Sequence, residues 1–82
     1  MNQRIRSPKQ LGSLIHQARA ERGMSQQGLA DLIGTYQKTI SAIEKGSPGA
    51  KLETMFSLLA ALDLDLELVP RRKGGIDLAE IF

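Results

Sequence analysis

The chain has no cysteine and no tryptophan, a single histidine, one tyrosine and two phenylalanines among 82 residues. Without cysteine, disulfides and thiolate metal sites are excluded. His16 stands beside the apolar stripe of its segment with no carboxylate cluster near it, which marks a surface residue rather than a ligand or a base. No apolar run approaches the roughly 20 residues a membrane span requires, and no secretory segment is visible. A cytoplasmic protein is therefore expected. There is no nucleophile–base constellation, no glycine-rich phosphate loop and no metal-spaced ligand set, so neither an enzyme nor a cofactor, metal or small-molecule substrate is expected. The length suits one domain near the lower limit of what a single core supports.

What is present is charge in blocks and apolar residues at helical spacing. The net charge of +2 is modest, but its distribution is uneven. Arg4, Arg6, Lys9, Arg19 and Arg22 stand against Glu21 alone, Asp63 to Glu67 is acidic, and Arg71-Arg72-Lys73 is basic again. Such a chain can neutralise phosphates with one face and keep another for protein.

Ser7, Pro8 and Gln10 form a capping box with proline at the first helical position, and Leu11, Leu14, Ile15 and Ala18 follow as one stripe until Gly23. Residues 24–46 then read as two short helices joined by a tight turn. Ser25 is the cap of the first, Met24 and Leu29 its hydrophobic staple, and Leu29, Ala30, Leu32 and Ile33 its helically spaced apolar residues. Gly34 supplies a left-handed terminus. Thr35 is expected to cap the second helix, Ile40 and Ile43 to form its buried stripe, and Lys45-Gly46 to close it. Its free face carries Tyr36, Gln37, Lys38, Ser41 and Lys45 with no acid among them. Gln reads adenine edges, Lys reaches guanine acceptors or phosphates, and Ser and Tyr bond to either. A polar helix face is ordinarily just solvated. The small Ala30, the turn glycine and the paired isoleucines beside it favour DNA binding. Ser47-Pro48-Gly49-Ala50 is a loop by its turn chemistry, with Lys45 and Lys51 placed for phosphate. Leu52 to Leu62 reads as a further helix with Leu52, Met55, Phe56, Leu59 and Leu62 inward.

Gln26, Ala30, Gly34, Ile40, Ile43 and Glu44, at these spacings, resemble the helix-turn-helix signature of the phage-repressor-like (Cro/C1, or XRE) family, over about residues 7–63. The resemblance implies a compact, mainly α domain of four to five helices that binds palindromic double-stranded operator DNA in the major groove as a dimer. It implies that Tyr36, Gln37, Lys38 and Ser41 contact bases, with Ala42 beside them, and that Gln26, Thr39, Lys45 and Lys51 contact phosphates. Ala30, Gly34, Ile40 and Ile43 are structural in that family, and Arg19 and Glu44 resemble a salt bridge between its first and third helices. Gly28 departs from the pattern, because many relatives carry Glu there to complete a capping box.

Residues 1–6 are expected to form an N-terminal arm, 7–63 the helix-turn-helix domain, 64–70 a dimerisation strand and 71–82 a flexible tail. Leu64-Asp65-Leu66-Glu67-Leu68-Val69 alternates with period two, a strand signal, although it could also continue the preceding helix as far as Pro70. A lone strand needs a partner, and the same strand of a second copy is the economical one, with Leu64, Leu66 and Leu68 in the homodimer interface. This would set two reading helices about 34 Å apart. Ile76, Leu78, Ile81 and Phe82 form a short apolar motif suited to docking on a partner, against the alternative of a fraying terminus. The Ser7-Pro8-x-Gln10-Leu11, Gln37-x-Thr39-Ile40-Ser41 and Leu52-x-Thr54-x-Phe56 segments, with the strand and tail, are similar to the HipB-type antitoxins of toxin–antitoxin modules. That likeness implies a repressor that autoregulates its operon and binds a HipA-like kinase toxin. A stand-alone phage- or mobile-element-type repressor is the alternative, and a protein-interaction module that has lost DNA binding a more distant one.

Overall fold

Local sequence signals and burial together account for four helices. The computed structural model describes residues 4–71, within which α1 spans Pro8–Glu21, α2 Gln26–Ile33, α3 Gln37–Glu44 and α4 Leu52–Ala61. Ser7 caps α1, its side chain accepting from Gln10 N at 3.1 Å. The return bond of the box reaches one residue further back than usual, with Arg6 N donating to Gln10 Oε1 at 2.6 Å. Ser25 caps α2 through Gly28 N at 2.9 Å. With glycine at that position, no side chain can answer the cap. Gly34, at φ +76°, ends α2, and Thr35 N donates to Ala30 O at 2.9 Å. Glycine carries no Cβ penalty in that left-handed turn. None of these helices is long and apolar enough to cross a membrane.

The core is formed by pairs of side chains from each helix: Ile15 and Ala18, Leu29 and Ala30, Ile40 and Ile43, and Leu58 and Leu62. Burying a branched aliphatic side chain contributes about 1.5–3 kcal/mol, so these residues, with Met24, Ile33, Met55 and Leu64 around them, supply most of the driving force. α3 packs on both α1 and α2, and α4 packs on α2. The side of α3 opposite Ile40 and Ile43 is left open.

Two sequence expectations are corrected. Tyr36, not Thr35, is the N-cap of α3, and it makes no side-chain cap bond. Thr35 still belongs to the end of α2, its N–H closing on Ala30 O, and the first bonds of α3 fall on Tyr36 O, which accepts from Thr39 N at 2.9 Å and Ile40 N at 3.3 Å. In α4 the inward side is Met55, Leu58, Leu59 and Leu62, whereas Leu52 and Phe56 are 74% and 54% exposed. Leu58 is fully buried, and the helix is turned toward α2 accordingly. Leu32 of α2 is likewise exposed. Among the described residues there is no strand. Residues 64–71 have no regular secondary structure in the single chain, and Leu64 packs against its own core. They do not continue α4, because Asp63 takes φ +59° and Leu64 N closes the helix on Leu59 O at 2.8 Å.

The α1–α3 seam is a close backbone contact. A Cβ on buried Gly12 would strike the carbonyl oxygens of Ile43 and Glu44, and one on Gly46 would lie 2.8 Å from Lys9 Cα. Two backbones therefore approach with nothing between them. Across this seam Arg19 Nε donates to Glu44 Oε2 at 2.6 Å and Nη2 to Glu44 Oε1 at 3.1 Å, while Nη1 holds Met24 O at 2.7 Å. The two side chains are only 11% and 5% exposed. His16 Nδ1 donates to Glu44 Oε1 at 2.9 Å.

Burial alone would raise the Glu44 pKa. Hydrogen bonds from Arg19, Gln26 and His16, with the charge of Arg19, outweigh it and lower the value from 4.5 to about 2. A carboxyl more acidic in the folded than in the unfolded chain stabilises the fold above the unfolded value, and the contribution is lost as pH falls through the folded one. Unfolding free energy should therefore decline between about pH 5 and pH 2, with up to about 3 kcal/mol of the loss due to Glu44. Denaturant unfolding across that range should show a shallower acid limb for Glu44→Gln than for the parent chain. Parallel limbs would mean that Glu44 is not the group responsible.

Candidate nucleic-acid interface

The exposed side of α3 is short and uniformly free of acid. Eight residues cover about 12 Å of helix axis, close to the width of a DNA major groove. Ile40 and Ile43 point into the core, which turns Gln37 and Lys38 outward and leaves Ser41 half-buried one turn on. Tyr36 precedes them at the cap, 74% exposed. The one carboxylate on α3 is Glu44, and it is turned into the seam and paired with Arg19. The outer face is thus left with positive charge from Lys38 and Lys45.

α2 supplies the side of this face through its first helical residue. Gln26 is half-buried, and its Nε2 donates to Glu44 Oε1 at 3.0 Å. Its Oε1 accepts from Gln37 Nε2 at 2.5 Å. The two glutamines therefore meet at the junction of α2 and α3, one anchored inward and the other projecting outward. Ala30 and Gly34 make this junction possible. Ala30 is fully buried in the core that the helices share, and a larger side chain there would push them apart.

The remaining candidate residues lie at the ends of α3 and α4. Thr39 is half-buried on α3, Lys45 is the exposed C-cap of α3, and Lys51 is the exposed N-cap of α4. Gly46 and Ser47-Pro48-Gly49-Ala50 join the two lysines. Of the three leucines assigned to a dimer surface, Leu66 and Leu68 are exposed, whereas Leu64 is half-buried against the core. Ile76, Leu78, Ile81 and Phe82 lie outside the described residues.

Two features were missed when the sequence alone was read. Gly12 had no role assigned, although a glycine inside an otherwise well-formed helix is a signal of close backbone approach. The contact of His16 with Glu44 was also overlooked. His16 lies three residues before Arg19, on the same side of α1, and that spacing could have placed both beside the same carboxylate.

Comparison with known proteins agrees with this geometry. The helix-turn-helix family matches residues 15–69. Antitoxin HipB of Escherichia coli O6:H1 (strain CFT073) is 35% identical over 78 residues, covering 95% of this chain and 83% of that protein. Among solved structures, a HipB variant–O2 20mer complex aligns with a TM-score of 0.81 at 35% identity, over 88% of this chain and 100% of that one. A HipA–HipB–O2–O3 complex aligns with a TM-score of 0.80 at 35% identity, over 87% and 100%. These relatives are DNA-binding regulators and antitoxins rather than enzymes. On the fold, the acid-free face of α3 and these likenesses, the chain belongs to the helix-turn-helix family of DNA-binding transcriptional regulators that includes the HipB antitoxins.

Proposed function

We propose that the protein is a transcriptional repressor that reads a palindromic operator as a homodimer and acts as the antitoxin of a HipA-like kinase toxin, autoregulating its own operon in the cytoplasm. The observation that carries this reading is the outward face of α3, polar, free of acid, and held open by the packing of Ile40 and Ile43. Tyr36, Gln37, Lys38 and Ser41 contact base edges. Gln26, Thr39, Lys45 and Lys51 hold phosphates, which orient the helix without reading sequence. Gln37→Ala is expected to weaken operator binding by about 1–3 kcal/mol and to relax preference at one base pair. Fluorescence anisotropy on operator and on scrambled duplex distinguishes the two effects. An equal loss on both duplexes would remove Gln37 from base reading.

The homodimer is supported by apolar surface that a single chain leaves uncovered. Leu66, Leu68 and Val69 follow α4 in the alternating segment and are exposed, as are Leu52 and Phe56 on α4 itself. Backbone in a period-two segment finds hydrogen-bond partners when two copies pair antiparallel about a two-fold axis. Such a pair would also cover the leucines. Leu66→Asp should place a charge in that interface and shift the protein to monomer in sedimentation equilibrium. A variant that remains dimeric at micromolar concentration would rule out the paired strands.

The toxin partnership is supported by the likeness to HipB, a protein solved in complex with HipA, and by the apolar motif at the end of the chain. Deleting residues 76–82 should leave operator binding unchanged and abolish co-purification of a kinase-sized partner from the native cell. Recovery of the dimer alone from the full-length chain, still shifting promoter DNA, would favour the solitary repressor instead.

A further inference from the structure

Glu44 is buried at the α1–α3 seam, yet its carboxylate is two hydrogen bonds from the side chain placed to read a base. An ionised carboxylate offers acceptors only. The pairing with Arg19 keeps Glu44 ionised over all but strongly acidic conditions. Gln26 must therefore turn its Nε2 toward Glu44 Oε1 and its Oε1 away. That outward oxygen accepts from Gln37 Nε2. An isolated glutamine amide could adopt either sense, but here the choice is made at the buried end. The reverse sense would set Gln26 Oε1 against the oxygens of Glu44, with no hydrogen between them.

The consequence falls on the free side of Gln37. One of its two amide hydrogens is committed to Gln26, so it presents outward one acceptor, Oε1, and one remaining N–H. The major-groove edge of adenine offers the complement, an acceptor at N7 and a donor at N6, whereas guanine offers two acceptors, N7 and O6. In the reversed chain Gln37 would give its oxygen to Gln26 and turn both N–H groups outward, the pattern guanine accepts. We propose that Glu44, itself placed by Arg19, is a positioning residue that acts through Gln26 to set the amide sense of Gln37 and so its preference for adenine over guanine. This rests on the reading of α3 as the base-contacting helix.

The test is selection of bound duplexes from a randomised DNA library by the full-length protein, read by sequencing. Gln37→Ala first identifies the base pair Gln37 contacts, as the position whose preference it erases. If it erases none, the base-reading role of Gln37 is wrong, independently of Glu44. At that position E44Q is expected to lower the adenine-to-guanine ratio about five-fold or more, with other positions unchanged. The amide it introduces can face Gln26 either way and so admits the reversed chain. The exchange Q26E/E44Q should restore the ratio. The new amide at position 44 then donates to the new carboxylate at position 26, which in turn accepts only from Gln37. An E44Q protein that folds and keeps the ratio overturns the proposal, as does a loss that the exchange fails to restore. If either variant at position 44 fails to fold by circular dichroism, Q26M decides, because it cuts the chain while leaving Arg19 and Glu44 paired. Loss of the ratio in Q26M supports the proposal and retention overturns it.

Discussion

The Arg19–Glu44 pair is the interaction on which the rest of this domain depends. It joins α1 to the end of α3, across a seam where the two backbones approach closely, and it does so with nearly buried charges. Such pairs are not strongly stabilising in themselves, since desolvation offsets much of the attraction, but losing one partner is costly because the other remains buried and unpaired. Here the remaining valences are filled. Arg19 also holds Met24 O, and Glu44 also takes Gln26 and His16. No side-chain polar atom buried among the described residues is left without a partner. The pair thus specifies how α1, α2 and α3 meet.

The same pair separates charge for function. A free carboxylate on α3 would repel the phosphates that a reading helix must approach. By turning Glu44 inward onto Arg19, the fold keeps its acid for structure and leaves Lys38 and Lys45 on the outer side. Gln26 lies at the boundary between the two regions, bonded to the buried carboxylate on one side and to Gln37 on the other. On the proposed reading of α3, stability and recognition meet at one side chain. This is an economical arrangement for a domain with so small a core.

α4 and the segment after it show a different side of the chain. α4 is apolar on more of its circumference than packing on α2 can cover, and a helix apolar nearly all round is ordinarily buried. Leu52 and Phe56 stay in water here, together with Leu66, Leu68 and Val69. The period-two pattern of residues 64–69 was legible as a strand pattern, but a strand is a relation between two segments. A single chain with no neighbouring edge cannot form the ladder, and the described residues accordingly show none.

Most of the local structure could be read from sequence because its causes are local. Ser7 and Ser25 mark helix starts, Gly34 marks a left-handed end, and Ile40 with Ile43 sets which side of α3 is buried. Those signals act over three or four residues and operate before the chain is compact. Sequence spacing erred where neighbouring elements compete for one group or one face. Thr35 closes α2, and α3 begins one residue later on the carbonyl of Tyr36. Leu58 rather than Leu52 faces inward because α2 decides which side of α4 is covered. Gly12 and the run from His16 and Arg19 through Glu44 and Gln26 to Gln37 bring together residues up to 28 positions apart. By itself, the sequence determined the helices, most of their ends and the family signature. Only the tertiary structure decided which apolar faces are buried, how closely α1 approaches α3, and which way each amide points, because those depend on distances between segments that local propensity does not set.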